Sequence, residues 1–432
     1  SVIHGVPVLE PIDEINAVLS TYHIDEALIA IPSASGDVLR KITDNCRQNG
    51  IPFRTMPGLY ELIGGAVSVS RLREVDISDL LRREPARLDT ETLGEVLEAR
   101  VVMVTGAGGS IGSELCRQIA QLSPKRLLML GHGENSIFSA LIELKEDFPS
   151  LEILPLIADV RDMPRLAVLF ERWQPEVIYH TAAHKHVPLM ESNIEEAVTN
   201  NILGTKNIVD AAIQFGVQRL VMISTDKAIR PVSVMGGTKR IAEMLVLDAA
   251  HKHQRAFSVV RFGNVLGSRG SVVPRFKRQI AAGGPVTVTH PEMKRYFMTI
   301  PEAVHLVLQA SALSQGAENY ILDMGQPVRI LDLAEDLIRL SGFEPGKDIQ
   351  IIFTGIRPGE KLSEDLWDKG FAYSPTPHPD IHRVDSEEVI SSEGLRDIVE
   401  KLVNAAQEGQ PETILSILSN TIPGAAISSQ ET

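Results

Sequence analysis

The chain has 432 residues, a formal net charge of −14, 44% hydrophobic and 23% charged residues. That length exceeds one ordinary domain and the composition suits a soluble globular core, while the acidic balance disfavours nucleic acid or anionic lipid as a nonspecific partner. Cys46 and Cys116 lie far apart without C-x-x-C spacing, so they read as free thiols of a reducing compartment and not as a disulfide or a zinc site.

Residues 1–65 read as a small, partial nucleotide-binding-like α/β domain. A strand end at 6–9 precedes a helix over 10–22, a buried strand over 26–32, an amphipathic helix over 36–49 and a short strand over 51–54. Alternating strand and helix implies parallel pairing. No glycine-rich turn opens this unit. Residues 66–97 are short and charge-rich and read as a linker packed on the next domain. That second domain is expected over 98–385, and a helical C-terminal extension over 386–432, its last ten residues disordered. No apolar run reaches the ~18–20 residues that cross a bilayer. The chain enters at Ser1 directly in strand-like sequence, so it is expected to be a piece of something longer.

The second domain opens with an apolar run at 100–105, then a turn carrying Gly106, Gly108, Gly109, Ser110, Ile111 and Gly112, then a helical pattern over 113–122. Strand, glycine turn and helix in that order are the elements of a phosphate-cradling loop: glycines let the backbone approach a pyrophosphate, and the helix start offers amides and a positive dipole end. The implied fold class is α/β, a Rossmann-type doubly wound parallel sheet with a smaller substrate-binding subdomain.

The cofactor is NAD or NADP. After the second strand (126–130) the usual acidic residue is replaced by Gly131, and Glu134 is the nearest carboxylate for a ribose. A third strand, 151–158, ends at Asp159 and Val160, where Asp159 either meets the adenine amine or caps the helix before Met163. A fourth, 176–183, ends in small residues, Ala182 and Ala183, beside which a nicotinamide ribose would pass. His184 and His186 form H-x-H, but no Cys or carboxylate completes a zinc set, so no metal is expected.

The strand 219–224 runs into Thr225, Asp226 and Lys227, and a following helix carries Met235 and Lys239 four residues apart on one face. Here the chain resembles the extended short-chain dehydrogenases, which carry Tyr-x-x-x-Lys on that helix. Met235 stands at the Tyr position, and no tyrosine lies between Tyr179 and Tyr296. That departure, with the runs T-A-A-H-K-H-V-P-L-M-E, S-T-D-K-A, R-F-G-N-V-L-G-S-R-G-S-V-V-P and R-P-G-E-K-L, resembles the membrane-associated UDP-N-acetylglucosamine 4,6-dehydratases of bacterial polysaccharide biosynthesis, over roughly residues 5–385.

The resemblance implies a hydro-lyase that oxidises C4 of UDP-N-acetylglucosamine, eliminates water across C5 and C6 and returns the hydride to C6, giving UDP-2-acetamido-2,6-dideoxy-4-hexulose with the cofactor regenerated. Asp226 would protonate the departing hydroxyl, Lys227 would take the C5 proton and Lys239 would hold the nicotinamide ribose. Met235 has no proton to give, so Thr225, Asp226 or a water serves the C4 hydroxyl. Lys185, His186, Asn201, Arg261, Asn264, Val272, Val273, Arg295, Arg357 and Glu360 are implied on the substrate side, Asn201 at a family position that supports the active-site helix; a surface ion pair is the plain alternative for several of them. It also implies a homo-oligomer at the cytoplasmic face of the inner membrane, anchored through transmembrane helices preceding this chain. A UDP-sugar epimerase on the same scaffold, or a non-catalytic NAD(P)-binding protein, are the competing readings.

Overall fold

The computed structural model describes residues 2–3, 5–11, 14–31, 33–56, 75–81, 90–367, 370–385 and 390–427. They fall into two compact units, one of 1–85 with 276–286 and 332–350, the other of 86–275, 287–331 and 351–432.

In chain order the first elements are β1 (Val2–Ile3), β2 (Val6–Pro7), α1 (Ile15–Thr21), β3 (Ala27–Ile29), α2 (Gly36–Gln48), β4 (Phe53–Thr55) and α3 (Ile77–Leu80). β3 and β4 pair in parallel, as the alternation predicts. β3 is not the buried strand expected: Leu28 is exposed and only Ile29 is covered. α2 is amphipathic and buries Leu39, Ile42, Thr43 and Cys46. The stretch read as a linker contains α3, held by a reciprocal Asp76–Asp79 capping box, and α4 (Thr90–Leu97); residues 57–74 and 82–89 lie outside the described residues.

The second unit continues with β5 (Val101–Thr105), α5 (Ser110–Ala120), β6 (Arg126–Gly131), α6 (Glu134–Asp147), β7 (Ile153–Ile157), α7 (Met163–Trp173), β8 (Val177–His180), α8 (Val187–Glu191), α9 (Ile194–Ala197), a π-helical turn (Val198–Leu203), α10 (Gly204–Gln214), β9 (Arg219–Thr225), α11 (Val234–His253), β10 (Ala256–Phe262) and β11 (Asn264–Val265). After α12 (Val272–Ala281) come β12 (Val286–Val288), β13 (Lys294–Arg295), β14 (Phe297–Met298), α13 (Ile300–Leu313), β15 (Glu318–Leu322), β16 (Val328–Arg329), α14 (Ile330–Leu340), β17 (Ile351–Phe353), β18 (Tyr373–Pro375), β19 (Ile381–Val384), α15 (Ser392–Gln407) and α16 (Pro411–Thr421).

Nine strands form one sheet in the order β18-β19-β15-β10-β9-β8-β5-β6-β7. It is parallel from β7 to β15 and antiparallel at β19 and β18. Strands covered on both faces need apolar side chains at every position, and β5 is buried throughout. Side chains alternate between two apolar layers. Val102, Val104, Leu127 and Met129 face α4, α5, α6 and α13, whereas Val101, Met103, Leu128 and Leu130 face α7, α10 and α11. The chain runs β5–β6–β7 to one edge and returns through β8 beside β5, with Thr105 opposite His180. A doubly wound sheet opens a ligand crevice at such a reversal, beyond the carboxyl ends of the strands.

A third apolar cluster joins α8, the π-helical turn and α11 to α15 and α16. The expected disorder of the last ten residues fails for 423–427: Ile427 is buried and the Ala426 amide donates to the Pro231 carbonyl at 2.9 Å. Residues 428–432 lie outside the described residues.

Candidate active site

The glycine loop sits in that crevice, between the ends of β5 and β8. Gly106 has φ +66°, and a Cβ there would lie 2.8 Å from the Ala182 amide nitrogen and from Thr181 Oγ1. A Cβ on Gly112 would collide with the Gly106 carbonyl. Both glycines are thus required by close approach. The helix begins earlier than the pattern suggests: α5 starts at Ser110 with Gly109 as its N-cap, so Ser110, Ile111 and Gly112 form its first turn. First-turn amides have no carbonyl of their own helix to bond, and that turn holds no acidic side chain. This cradle fits the diphosphate of a dinucleotide.

Around it, Glu134 is exposed at the start of α6. Asp159 does not cap the next helix. Asp162 does so, accepting from the Arg165 amide at 3.0 Å, because it lies one residue before the first helical residue. Asp159 accepts from the Arg161 amide, Nε and Nη2, and the guanidinium lowers its carboxyl pKa. Arg161 also holds Glu196, whose Oε1 lies 3.1 Å from His184 Nε2. Val160 is buried, and its carbonyl accepts from Asn207 at 3.1 Å.

β9 delivers Thr225, Asp226 and Lys227 to the same crevice through a single 3-10 turn (Asp226–Ala228). The Asp226 side chain is fully buried. Its Oδ1 accepts from Thr225 Oγ1 at 2.8 Å and from Lys227 Nζ at 2.9 Å; its Oδ2 is buried without a hydrogen-bond partner. Lys227 Nζ also donates to Asn264 Oδ1 at 3.2 Å. Gly263 makes the room: a Cβ there would lie 3.3 Å from Asp226 Oδ2 and 3.1 Å from Tyr296 Cβ. Burial, with Asp365, Asp226 and Asp323 nearby, raises the Tyr296 hydroxyl. Glu364, also buried, is raised by desolvation, with Lys227 opposing and Asp226 adding to the rise.

α11 is capped by Ser233, whose Oγ accepts from the Gly236 amide at 3.1 Å. Met235 is buried in the apolar cluster under this helix. One turn on, Lys239 is buried and donates to the Ile223 carbonyl at 2.7 Å; burial brings its ammonium down to about 8, against the pull of Glu243. Burial and Lys239 push His180 down to about 3, so the ring is neutral. Thr205 Oγ1 already donates to the Asn201 carbonyl at 2.6 Å, so His180 Nε2–H donates to Thr205 and Nδ1 accepts from Thr105. This buried chain fixes the strand ends under the crevice.

Several substrate-side residues are placed otherwise than expected. The Arg261 side chain is 1% exposed and forks onto Glu243, with Nε at 2.8 Å and Nη2 at 2.5 Å. Burial would raise the Glu243 carboxyl, but Arg261 first, then Arg240 and Ser224, hold it at about 2. Arg261 therefore serves a buried ion pair, not a ligand. Asn201 clasps backbone: its Oδ1 accepts from the His184 amide at 2.8 Å, and its Nδ2 donates to the His184 carbonyl and to Thr238 Oγ1, both at 3.1 Å. That braces α11 and leaves no amide group for the sugar. Arg295 donates to the carbonyls of Lys294, Lys361 and Leu362. Arg357 faces Glu360 at 3.9 Å, the ion pair foreseen as the plain alternative. Lys185 Nζ reaches Ser268 Oγ at 3.2 Å, and His186 lies against Gly270, whose Cβ would be 2.8 Å from its Cε1. Val272 and Val273 open α12, Val273 buried.

Residues 102–386 match the family described as polysaccharide biosynthesis protein. The chain belongs to that family. It is 49% identical over 395 residues to the capsular polysaccharide biosynthesis protein CapD of Staphylococcus aureus, covering 91% of this chain and 66% of CapD, just under two thirds of its length. It is 35% identical over 268 residues to a UDP-N-acetylglucosamine 4,6-dehydratase (inverting) of Campylobacter jejuni, covering 61% of this chain and 76% of that one. A UDP-glucose 4-epimerase of Rickettsia canadensis is 34% identical over 277 residues, 62% of this chain and 77% of the relative. Among solved structures, Pen from Bacillus thuringiensis superposes with a TM-score of 0.62 at 31% identity, covering 70% of this chain and 98% of Pen. The dTDP-glucose 4,6-dehydratase DesIV of Streptomyces venezuelae, solved with NAD, shares the fold at a TM-score of 0.56 and 20% identity, over 62% of this chain and 88% of DesIV.

This member of the polysaccharide biosynthesis family thus has both a nucleotide-sugar dehydratase and an epimerase among its relatives. Its structure gathers the glycine loop, Thr225, Asp226, Lys227, Lys239 and Asn264 around one crevice. Sequence reasoning passed over Tyr296, Glu364 and Glu243. The first two lie far along the chain from Asp226; only the turn at 263 without a side chain brings Tyr296 beside it. Glu243, four residues after Lys239, carried a usable signal: a carboxylate on the same helical face as a buried lysine needs a partner cation.

Proposed function

We propose that this chain is the catalytic part of a UDP-N-acetylglucosamine 4,6-dehydratase working with a tightly held nicotinamide dinucleotide. The observation that carries the reading is the buried Asp226 carboxylate, paired with the half-buried Lys227 and with one oxygen unpartnered: an acid and a base poised at one crevice, as water elimination requires. When bound, the nicotinamide supplies hydride acceptance at C4 and hydride return at C6. The glycine loop would hold its diphosphate, and Lys239 would hold its ribose.

At the start of the cycle Asp226 is the carboxylate and Lys227 the neutral amine. On C4 oxidation the C4 hydroxyl gives its proton to Asp226 through Thr225, whose Oγ1 is 2.8 Å from Oδ1. Lys227 then removes the C5 proton, the newly protonated Asp226 gives its proton to the C6 hydroxyl, and water leaves. Lys227 returns its proton to C5 as C6 is reduced, which restores both the amine and the carboxylate. Every proton is accounted for without a tyrosine at 235, and Met235 keeps a packing role. NAD is favoured over NADP by no residue of the crevice. Membrane attachment through a preceding segment, a location at the cytoplasmic face of the inner membrane and a homo-oligomer remain part of the proposal, drawn from the resemblance; among the described residues no helix is long and apolar enough to cross a membrane.

The test is incubation with UDP-N-acetylglucosamine, no nicotinamide added, followed by mass spectrometry. Loss of one water with a 4-keto product is expected. A product of unchanged mass would assign the chain to epimerisation instead, the reading that the Rickettsia relative favours.

A further inference from the structure

We infer that Glu364 is a positioning residue for the elimination: its carboxylate takes the ammonium proton of Lys227, so that Lys227 meets the sugar as an amine. The inference rests on the dehydratase reading above and supplies the step by which that cycle reaches its starting state.

Glu364 is brought to the catalytic turn by the segment that follows the R-P-G-E-K-L run. That segment is stitched to β13: the Lys294 amide donates to the Leu362 carbonyl at 3.0 Å, and Arg295 donates to the carbonyls of Lys361 and Leu362. On its other side Lys361 Nζ donates at 3.4 Å to the carbonyl of Ile229, which closes the turn carrying Asp226 and Lys227. Held between the two, the chain turns Glu364 inward and Asp365 outward. The Glu364 side chain is 4% exposed and that of Asp365 65%.

A carboxylate so buried is costly unless donors satisfy it. Among the described residues Glu364 accepts no hydrogen bond. Arg295 Nη2 stands at 3.9 Å, beyond hydrogen-bond distance, and the guanidinium donates instead to backbone carbonyls. A pair that served packing alone would close to a fork, as Arg261 does on Glu243. Asp226 is placed differently, because its Oδ1 receives Thr225 and Lys227. Hydrogen bonds to the charged form favour that form, so Glu364 is the more basic of the two carboxylates. Burial raises its carboxyl most; Lys227 opposes, Asp226 adds to the rise, and Arg295 and Lys361 oppose more weakly. Lys227 outweighs Arg295 in that balance, which marks it as the cation that Glu364 answers to.

Lys227 has a proton to give. Of its three N–H bonds, one goes to Asp226 Oδ1 and one to Asn264 Oδ1; the third has no acceptor among the described residues. The transfer balances. A Lys227 N–H bond breaks, a Glu364 O–H bond forms, and two opposite charges become two neutral groups, which a desolvated crevice favours. No hydrogen bond or ion pair joins the two side chains, so one water relays the proton. Asp226 stays a carboxylate throughout and is ready for the C4 hydroxyl proton.

Glu364→Gln and Glu364→Asp are compared with the wild-type chain on UDP-N-acetylglucosamine, with kcat and KM followed from about pH 6 to about pH 10. Without a carboxylate at 364, Lys227 can shed its proton only to bulk solvent. The glutamine variant is therefore expected to lose roughly 10²-fold in kcat near neutral pH, with KM and bound nucleotide unchanged. It regains turnover as the pH rises toward about 10, where lysines titrate; that recovery also shows that it is folded. The aspartate variant, one methylene shorter, recovers part of the loss at neutral pH. A glutamine variant with wild-type kcat at neutral pH overturns the inference. So does a loss of the same size at every pH, which would leave Glu364 a packing residue, and so does a loss confined to KM, which would give it to the sugar. Wild-type protein that yields no 4-keto product would sink the dehydratase reading itself, a failure seen without any variant.

Discussion

Asp226 and Lys239 each make a distinct prediction. Asp226→Asn keeps the shape of the side chain and removes its proton. Turnover is expected to fall by roughly 10²–10⁴-fold while KM and bound nucleotide stay near wild type; a variant retaining full kcat would remove Asp226 from the acid role. Lys239 makes a prediction in stability. Its ammonium is lowered from 10.5 to about 8 by burial. Between those values the unfolded chain holds a proton that the folded chain has lost, so the contribution of this residue to stability rises with pH across that window. Below about pH 8 both states are charged and the burial cost is complete, roughly 3 kcal/mol. Lys239→Met abolishes this titration. The wild-type melting temperature is therefore expected to gain on that of the variant from pH 8 to pH 10.5, and parallel curves would show that Lys239 is not desolvated.

At the scale of elements, the catalytic turn is held from behind by the end of the chain. Arg230 has φ +42°, a conformation that costs about 1–3 kcal/mol in a residue other than glycine. The segment after α16 stabilises it: Gly424 lies against the Arg230 side chain, Ala426 bonds the Pro231 carbonyl, and Ile427 packs on Gly237 in the first turns of α11. Ile427→Ala is expected to destabilise by about 2 kcal/mol or more and to lower kcat several-fold at constant KM. Leu169→Ala, in the other layer, should match the destabilisation without the kinetic effect; equal kcat losses would reduce the tail to a packing element. The helices and strands themselves were largely legible. Val101–Val104 in β5 and Leu127–Leu130 in β6 are uninterrupted apolar runs, as strands covered on both faces require, and the glycine turn announced α5. What escaped was set by distance. Arg261 looked available to a ligand because its partner Glu243 sits on another element, and Asp159 looked like a cap because Asp162 has the same chemistry three residues later. The order of 423–427 depends on α11, which a polar, small-residue tail does not reveal.

At the scale of the molecule, the order in which the chain adds its parallel strands reverses between β5 and β8, and the strands on both sides of that reversal contribute to one crevice. β5 and β8 bring the glycine loop, β9 brings Asp226 and Lys227, and β11 brings Asn264. Under the proposed dehydratase reading, the hydride taken from C4 returns to C6 of the same sugar. A crossover experiment tests this directly. UDP-N-acetylglucosamine deuterated at C4 and a second sample carrying ¹³C throughout the hexose are mixed and converted together. The deuterium is expected at C6 of the ¹²C product alone, because the reduced cofactor stays in its crevice until the same ring receives the hydride. Deuterium in the ¹³C product would mean that the intermediate or the reduced cofactor escapes between the two hydride steps, and a crevice that leaky could not complete the elimination on one bound substrate.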